Sequence, residues 1–308
     1  MKKIHLLLLL PALLAACQGG TKHRAADEKP TLTVTIEPLR YLTEAVAGEH
    51  FRVVTMVPKG SSPESYDPTP QQLVELARSK AYLRIGYIGF EQAWMEKLAD
   101  NTPHLPFYDL SKGVDLIRDE SHPHPHHHAD EHPGNYQEEE HHHHHHAGGV
   151  EPHIWNSALN AQLIAGNILD ALCSLDAEHA GHYKARHDSL IRRMEQTDSL
   201  ICARLSAEGA DRAFMIYHPA LSYFARDYGL HQIPIENGGK EPSPAQLKEL
   251  VNTARREQVR VVFVQPEFDR RNAEIIAREI GARVVSINPL AYNWEEEMLH
   301  TADILSGK

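Results

Sequence analysis

The chain has 308 residues, 42% of them hydrophobic, with 31 Lys and Arg against 42 Asp and Glu, for a formal net charge of −11. That length accommodates two domains of about 100–150 residues each. The acidic balance disfavours nucleic-acid binding, which needs positive charge against phosphate, and draws cations modestly, screened at physiological salt.

The first segment reads as a targeting signal. Lys2 and Lys3 open it, Ile4 to Leu14 is apolar, and Ala15 and Ala16 precede Cys17. The apolar run is too short to span a bilayer as a stable helix, so a cleaved export signal is expected. Leu14-Ala15-Ala16-Cys17 resembles the lipobox of bacterial lipoproteins. On that reading residues 1–16 are removed and Cys17 carries lipid; acylation of its thiol and amine gives stable membrane anchoring. The plainer alternative is an ordinary secreted protein with an incidental cysteine. Loss of Lys2 and Lys3 takes the formal charge from −11 to −13. Residues 17–29 form a polar tether. No later segment has the roughly 20 apolar residues that a membrane crossing requires.

From Pro30 strand and helix patterns alternate. Strands are expected over Leu32 to Glu37, Phe51 to Val57, Ala81 to Gly86 and Leu105 to Asp109. Helices are expected over Leu39 to Ala47, Gln71 to Ser79 and Glu91 to Ala99. This βαβα order implies an α/β fold with a mostly parallel sheet and helices on its faces.

A histidine-rich segment, residues 121–149, then interrupts the pattern. Thirteen of the 23 histidines lie between Ser121 and Trp155, and six are consecutive: His141, His142, His143, His144, His145 and His146. Its Gly, Pro, His and Glu content cannot bury a core, so disorder without metal is expected. A six-histidine run also looks like a purification tag, but tags sit at termini, and this run is internal and follows a second cluster, His122 to His132. Neutral imidazole is the commonest protein ligand for zinc and similar metals. A flexible run rarely fixes one ion in one geometry, so it reads as an accessory metal collector, with the defined site elsewhere.

Asn156 to Cys173 reads as a helix, and Ala177 to Ser206 as one long helix with Leu190, Met194, Thr197 and Ile201 on one face. The strand–helix alternation then resumes. Strands are expected over Arg212 to Tyr217, His231 to Glu236, Arg260 to Gln265 and Ala282 to Ile287. Helices are expected over Ala220 to Asp227, Pro244 to Glu257, Arg270 to Ile280 and Trp294 to Leu305. Ser243 and Gln246 form a capping-box signal. The expected architecture is two Rossmann-like βα lobes bridged by a rigid helix: residues 30–176, the helix 177–208, and residues 209–308. No clear sequence repeat links the lobes. Cys173 and Cys202 fall far apart along the helices, too far for a disulfide, and are expected as buried free thiols.

Parallel α/β sheets bind ligands beyond the carboxyl ends of their strands. Four stretches qualify. Pro58 to Pro70 follows a strand and carries Glu64 and Asp67. The segment GVEPHIW, residues 149–155, fixes His153 between Pro152 and two bulky apolar residues. His218 follows a strand and precedes Pro219, a helix-starting position. Gln265, Glu267 and Asn288 stand at the ends of two later strands. Any one of these could be a cap or a solvent-facing residue. Two histidines at strand-end Pro junctions in different lobes are harder to dismiss, because an interlobe cleft would bring them together.

These residues carry a resemblance. The chain is similar, over about Thr31 to Leu305, to the zinc/manganese-type solute-binding proteins of bacterial metal ABC importers, the zinc-uptake subgroup in particular. Pro58 to Pro70 resembles the family pattern P-x-G-x-D-P-H-x-Y-E-P-T-P; EPHIW matches D-P-H-x-W; YHPALSYFARDYGL matches H-x-x-F/Y-x-Y-F-x-x-x-Y-G-L; GGKEPSPAQLKEL matches G-x-E-P-S-x-x-x-L. The acidic, His-rich insertion is a feature of the zinc subgroup. The resemblance implies two lobes with a metal site in the cleft, and it carries His153 and His218 over as ligands. It also implies delivery of the metal to an ABC permease with its ATPase, by a monomeric exported lipoprotein at the periplasmic side of a membrane or the cell surface. Three positions depart from the pattern, and one is Ser62, where an acid usually precedes the family's first histidine. Glu64 stands where the family's first histidine is usual, and Asn288 where many members have an aspartate. Glu64 can still bind zinc beside two imidazoles; the fourth position is then Asn288, water or a carboxylate such as Glu267. Zn2+ is the expected cargo. The raised share of oxygen ligands also admits Mn2+ or iron, and loss of tight binding is a further alternative. Two other functions compete: a zinc-dependent hydrolase, against which stands the absence of an H-E-x-x-H motif, and a His-rich metal-storing or adhesive surface lipoprotein.

Overall fold

The computed structural model describes residues 29–118, 149–236 and 238–307. The expectations for the export signal, Cys17, the tether up to residue 28 and the His-rich run including His141–His146 lie outside the described residues.

Two four-stranded parallel sheets form the framework. The first uses β1 (Thr31–Val34), β2 (Arg52–Thr55), β3 (Ala81–Arg84) and β4 (Phe107–Asp109) in the order β2-β1-β3-β4. The second uses β5 (Ala213–Ile216), β6 (His231–Pro234), β7 (Val261–Val264) and β8 (Arg283–Ser286) in the order β6-β5-β7-β8. The same winding therefore occurs twice, although no sequence repeat is visible. Parallel pairing and crossover handedness constrain topology, and many unrelated apolar sequences satisfy them.

The helices are α1 (Glu37–Ala47), α2 (Pro70–Ala77), α3 (Gly89–Asn101), α4 (Ala158–Leu175), α5 (Ala180–Leu205), α6 (Ser222–Tyr228), α7 (Pro244–Arg256), α8 (Arg271–Ile280) and α9 (Trp294–Leu305). Capping boxes start two of them: Thr69 with Gln72 for α2, and Ser243 with Gln246 for α7. Each satisfies two backbone N–H groups that would otherwise lack partners. The expected long helix divides into a 3-10 turn, Ala177–His179, and the 26-residue α5. At about 1.5 Å per residue, α5 extends ~39 Å.

That helix lies against both halves. It packs on α1 and α4 from the first half and on α9 from the second. Leu190, Met194, Thr197 and Ile201 all point inward, as their spacing of three and four requires. One hydrophobic cluster runs unbroken from Leu32 and Val34 through Leu190 and Met194 to Phe214 and Phe263. A second, smaller cluster fills the other face of the second sheet, around Val262, Val264 and Ile276. Contrary to the expectation that no later segment reaches the length and apolarity of a membrane span, helix α4 does so, but its Ile164, Ile168 and Leu172 face is buried in the shared core.

The cysteines need a correction. Cys173 and Cys202 are free, but Cys173 is only partly buried and Cys202 is exposed. Each follows a buried residue, Leu172 and Ile201. One step along a helix rotates the side chain by about 100°, off the buried stripe.

Met194→Ala should lower the free energy of unfolding by about 2–5 kcal/mol through the lost burial and the cavity left behind. Leu200→Ala, at the exposed side of α5, should change it by no more than about 0.5 kcal/mol. Chemical denaturation followed by circular dichroism distinguishes the two.

Candidate metal centre

The strand polarity sends the loops after β2 and β5 toward one cleft. Glu64 sits in the loop after β2, His218 directly after β5, and His153 just ahead of α4. One ligand atom from each of Glu64, His153 and His218 lies within 4.8 Å of the others. The two histidine Nε2 atoms are 3.2 Å apart, and His153 Nε2 is 3.9 Å from Glu64 Oε1. Both histidines are buried, and Glu64 is half-buried.

Each imidazole is oriented by a carboxylate on its far nitrogen. His218 Nδ1 pairs with Glu236 Oε1 at 2.7 Å, and His153 Nδ1 pairs closely with Glu151 Oε1. The Glu151 carboxylate also accepts the His153 backbone N–H at 3.0 Å, so side chain and backbone are held together. A carboxylate on Nδ1 leaves Nε2 aimed inward and makes the ring a more basic donor. Gln265 brackets the backbone of His218: it accepts from His218 N–H at 3.3 Å and donates to His218 O at 2.6 Å. The Phe268 ring stacks on the His218 imidazole, centroids 5.3 Å apart. Burial draws the His153 pKa down, but the Glu151 charge and hydrogen bond, with Glu64 and Glu236, outweigh it and raise the pKa.

The chain around His153 is locked across the lobes. Trp155 is fully buried; its indole N–H donates to Pro289 O at 2.8 Å, and Trp294 donates back to Trp155 O at 2.7 Å. Asn156 donates to Ala220 O at 2.9 Å, and Tyr223 to Glu151 O at 2.8 Å. Val150 pairs with Arg118, so the residues on the two sides of the insertion meet at one point. The cost of closing a loop rises slowly with its length, and such a junction tolerates a long insertion.

Glu64 depends on close backbone contact. Phe90 N–H donates to Pro63 O at 2.8 Å. At Gly89, the first residue of α3, an added Cβ would lie 2.5 Å from Glu64 O and 2.8 Å from Glu64 Oε2. Only glycine admits that approach. Buried Glu91 holds the preceding turn: its carboxylate accepts from the N–H groups of Ile85 and Gly86 and from Thr35 Oγ1.

The other sequence candidates are placed differently. Glu267 lines the same small cavity, of about 20 Å³, with Ser62, Pro289 and Leu290, but stands outside the three-residue group. Burial pushes its carboxyl up. Asn288 lies away from that cavity lining; its Oδ1 accepts from Leu290 N–H at 3.1 Å, which makes it a turn residue. Asp67 accepts from the Trp94 indole at 3.1 Å. Glu151 and Glu236 were not singled out from sequence. An acid two residues before His153 is a weak local signal, and Glu236 reaches His218 only through the pairing of β5 with β6. Two imidazoles, one carboxylate and a cavity fit for a single small particle can coordinate one divalent transition-metal ion.

Comparisons with known proteins bear on the family and the fold. The family model described as zinc-uptake complex component A, periplasmic, matches residues 32–306. The high-affinity zinc uptake system protein ZnuA of Bacillus subtilis is 28% identical over 293 residues, covering 92% of this chain and 87% of its own. A putative metal-binding protein of Treponema pallidum is also 28% identical, over 289 residues, with 92% and 87% coverage. A crystal structure of ZnuA superposes with a TM-score of 0.79 at 32% identity, covering 91% of this chain and 99% of that one.

Gly89→Ala should leave the fold intact, since alanine is the better helix former. By displacing Glu64 it should weaken zinc binding by about tenfold or more, the scale on which groups that position ligands act. Calorimetric zinc titration measures it, and an unchanged affinity would show that Glu64 does not need this contact.

Proposed function

This chain belongs to the family of periplasmic zinc-uptake complex components, and from that premise we propose how it works: it captures one divalent transition-metal ion, zinc above all, outside the cytoplasm and passes it to an ABC permease driven by its ATPase. The observation that carries the reading is the convergence of His153, His218 and Glu64 from separate loops on one cavity. In this proposal the three supply nitrogen, nitrogen and oxygen to the ion. Water or Glu267 takes the fourth position. Asn288 serves the turn that carries Pro289 and Leu290 into the cavity wall. A ligand set of two imidazoles and one carboxylate suits Zn2+, and its oxygen share admits Mn2+.

Release is part of the function. The carboxylates on both Nδ1 atoms favour tight binding, so the ion must leave by a change of ligand geometry. The interlobe tryptophan contacts and α5 restrict large hinge motion. We assign release to a modest shift of one ligand loop when the lobes dock on the permease. The loop bearing Glu64 is the candidate, because Glu64 is half-buried while His153 and His218 are buried.

The lipid on Cys17 would keep the protein at the membrane as a monomer. The His-rich run would raise the local metal concentration without defining the tight site. Binding without turnover is proposed: the acids Glu151 and Glu236 are engaged in holding imidazoles, and hydrolysis of ester, peptide or phosphate substrates with added zinc should be undetectable.

Deletion of residues 121–148 should retain one high-affinity zinc site by calorimetry and elemental analysis. His153→Ala with His218→Ala should abolish it. The reverse outcome would assign the function to the His-rich run. Glu236→Gln should weaken zinc binding by about 10–100-fold with the fold retained. Because metal competes with protons for imidazole, affinity should fall on acidification, and the raised His153 pKa places the onset above the ordinary imidazole range.

A further inference from the structure

Among the described residues, a second group can converge on a metal: His50, Asp176 and His179, each offering a ligand atom within 4.8 Å of the others. It is separate from the cleft. His153 precedes the start of α4 and Asp176 caps its end, so the 18 residues of α4 put the two groups about 27 Å apart along the helix axis.

Three chain segments build the cluster. His50 stands in the turn between α1 and β2. Asp176 ends α4, and His179 is the N-cap of α5. The His50 and His179 rings lie with centroids 4.0 Å apart, and His182 approaches His50 edge-on at 4.7 Å. Gly48, with φ of +61°, lets the turn press on His182: a Cβ there would come within 2.9 Å of its Nε2. Asp176 Oδ2 pairs with His179 Nδ1 at 2.8 Å and accepts from Tyr183 OH at 2.6 Å. The Asp176 carboxylate and His179 Nδ1 therefore face each other, and an ion taken between them would replace the proton they share.

We propose that His50, Asp176 and His179, with His182 at their side, form a second divalent transition-metal site on the surface of the first lobe. Small rotations of these incompletely buried side chains bring their donors to the spacing of zinc ligands, about 2.0–2.2 Å from the ion. The Arg186 guanidinium, bonded to Ala45 O at 2.9 Å, lies beside Gly48. Its positive charge and the open surface make this the weaker of the two sites, occupied after the cleft. Donors of this type favour Zn2+, Ni2+ and Cu2+ over Mg2+. The proposal does not depend on the import function.

The test is site-resolved labelling of the full chain. Histidine modification by diethyl pyrocarbonate is read by peptide mass spectrometry without metal, with Zn2+, and with Mg2+. Zn2+ should suppress labelling of His50 and His179, and Mg2+ should not. The protection should persist in His153→Ala with His218→Ala, and appear at higher Zn2+ than protection of the cleft in the unaltered chain. In His50→Gln, protection of His179 should be lost while circular dichroism remains native. A cluster that serves only to cap α5 predicts otherwise. Labelling of His50 and His179 that ignores Zn2+ at concentrations protecting His141 to His146, or full protection of His179 in His50→Gln, would overturn the proposal.

Discussion

An imidazole has two nitrogens, and the fate of one decides what the other can do. In this protein carboxylates occupy the Nδ1 atoms of both buried cleft histidines. Burying a charge or an unpartnered polar atom is costly, so Glu151 and Glu236 are as necessary to the site as the rings they hold. They fix ring orientation, turn Nε2 toward the cavity and add negative potential there. The rest of the cleft serves this arrangement: Gln265 ties the His218 backbone, Phe268 covers its ring, and the Trp155–Trp294 contacts hold the His153 segment across the lobes.

The two lobes share one apolar core along α5, which places a limit on motion. Domains joined by a small polar interface move freely; a continuous buried interface resists. Wide opening would have to break that core. Glu64 belongs to a loop that approaches Gly89 closely.

Much of this was legible in the residues. Alternating strand and helix patterns predicted parallel sheets, and the element boundaries agree to within a few residues. Pro152 and Pro219 beside His153 and His218 marked histidines at the rims of the ordered lobes. Asn288 shows the limit of such reasoning: a residue at a strand end can equally serve the turn that follows. Cys173 and Cys202 show another, since a helical position one step off the apolar stripe is enough to expose a side chain.

The sequence by itself determined the class of fold, the buried face of the long helix, and which stretches carry candidate donors for a metal. These depend on local periodicity, proline and cap chemistry, and all are encoded within a few residues. The tertiary structure decided which donors meet. His153 and His218 are 65 positions apart, and the β5–β6 pairing brings Glu236 to His218. The approach of Gly89 to Glu64 and the gathering of His50, Asp176 and His179 are likewise products of packing. No local pattern records them, because side chains distant in sequence become neighbours only when sheets and helices close around a common core.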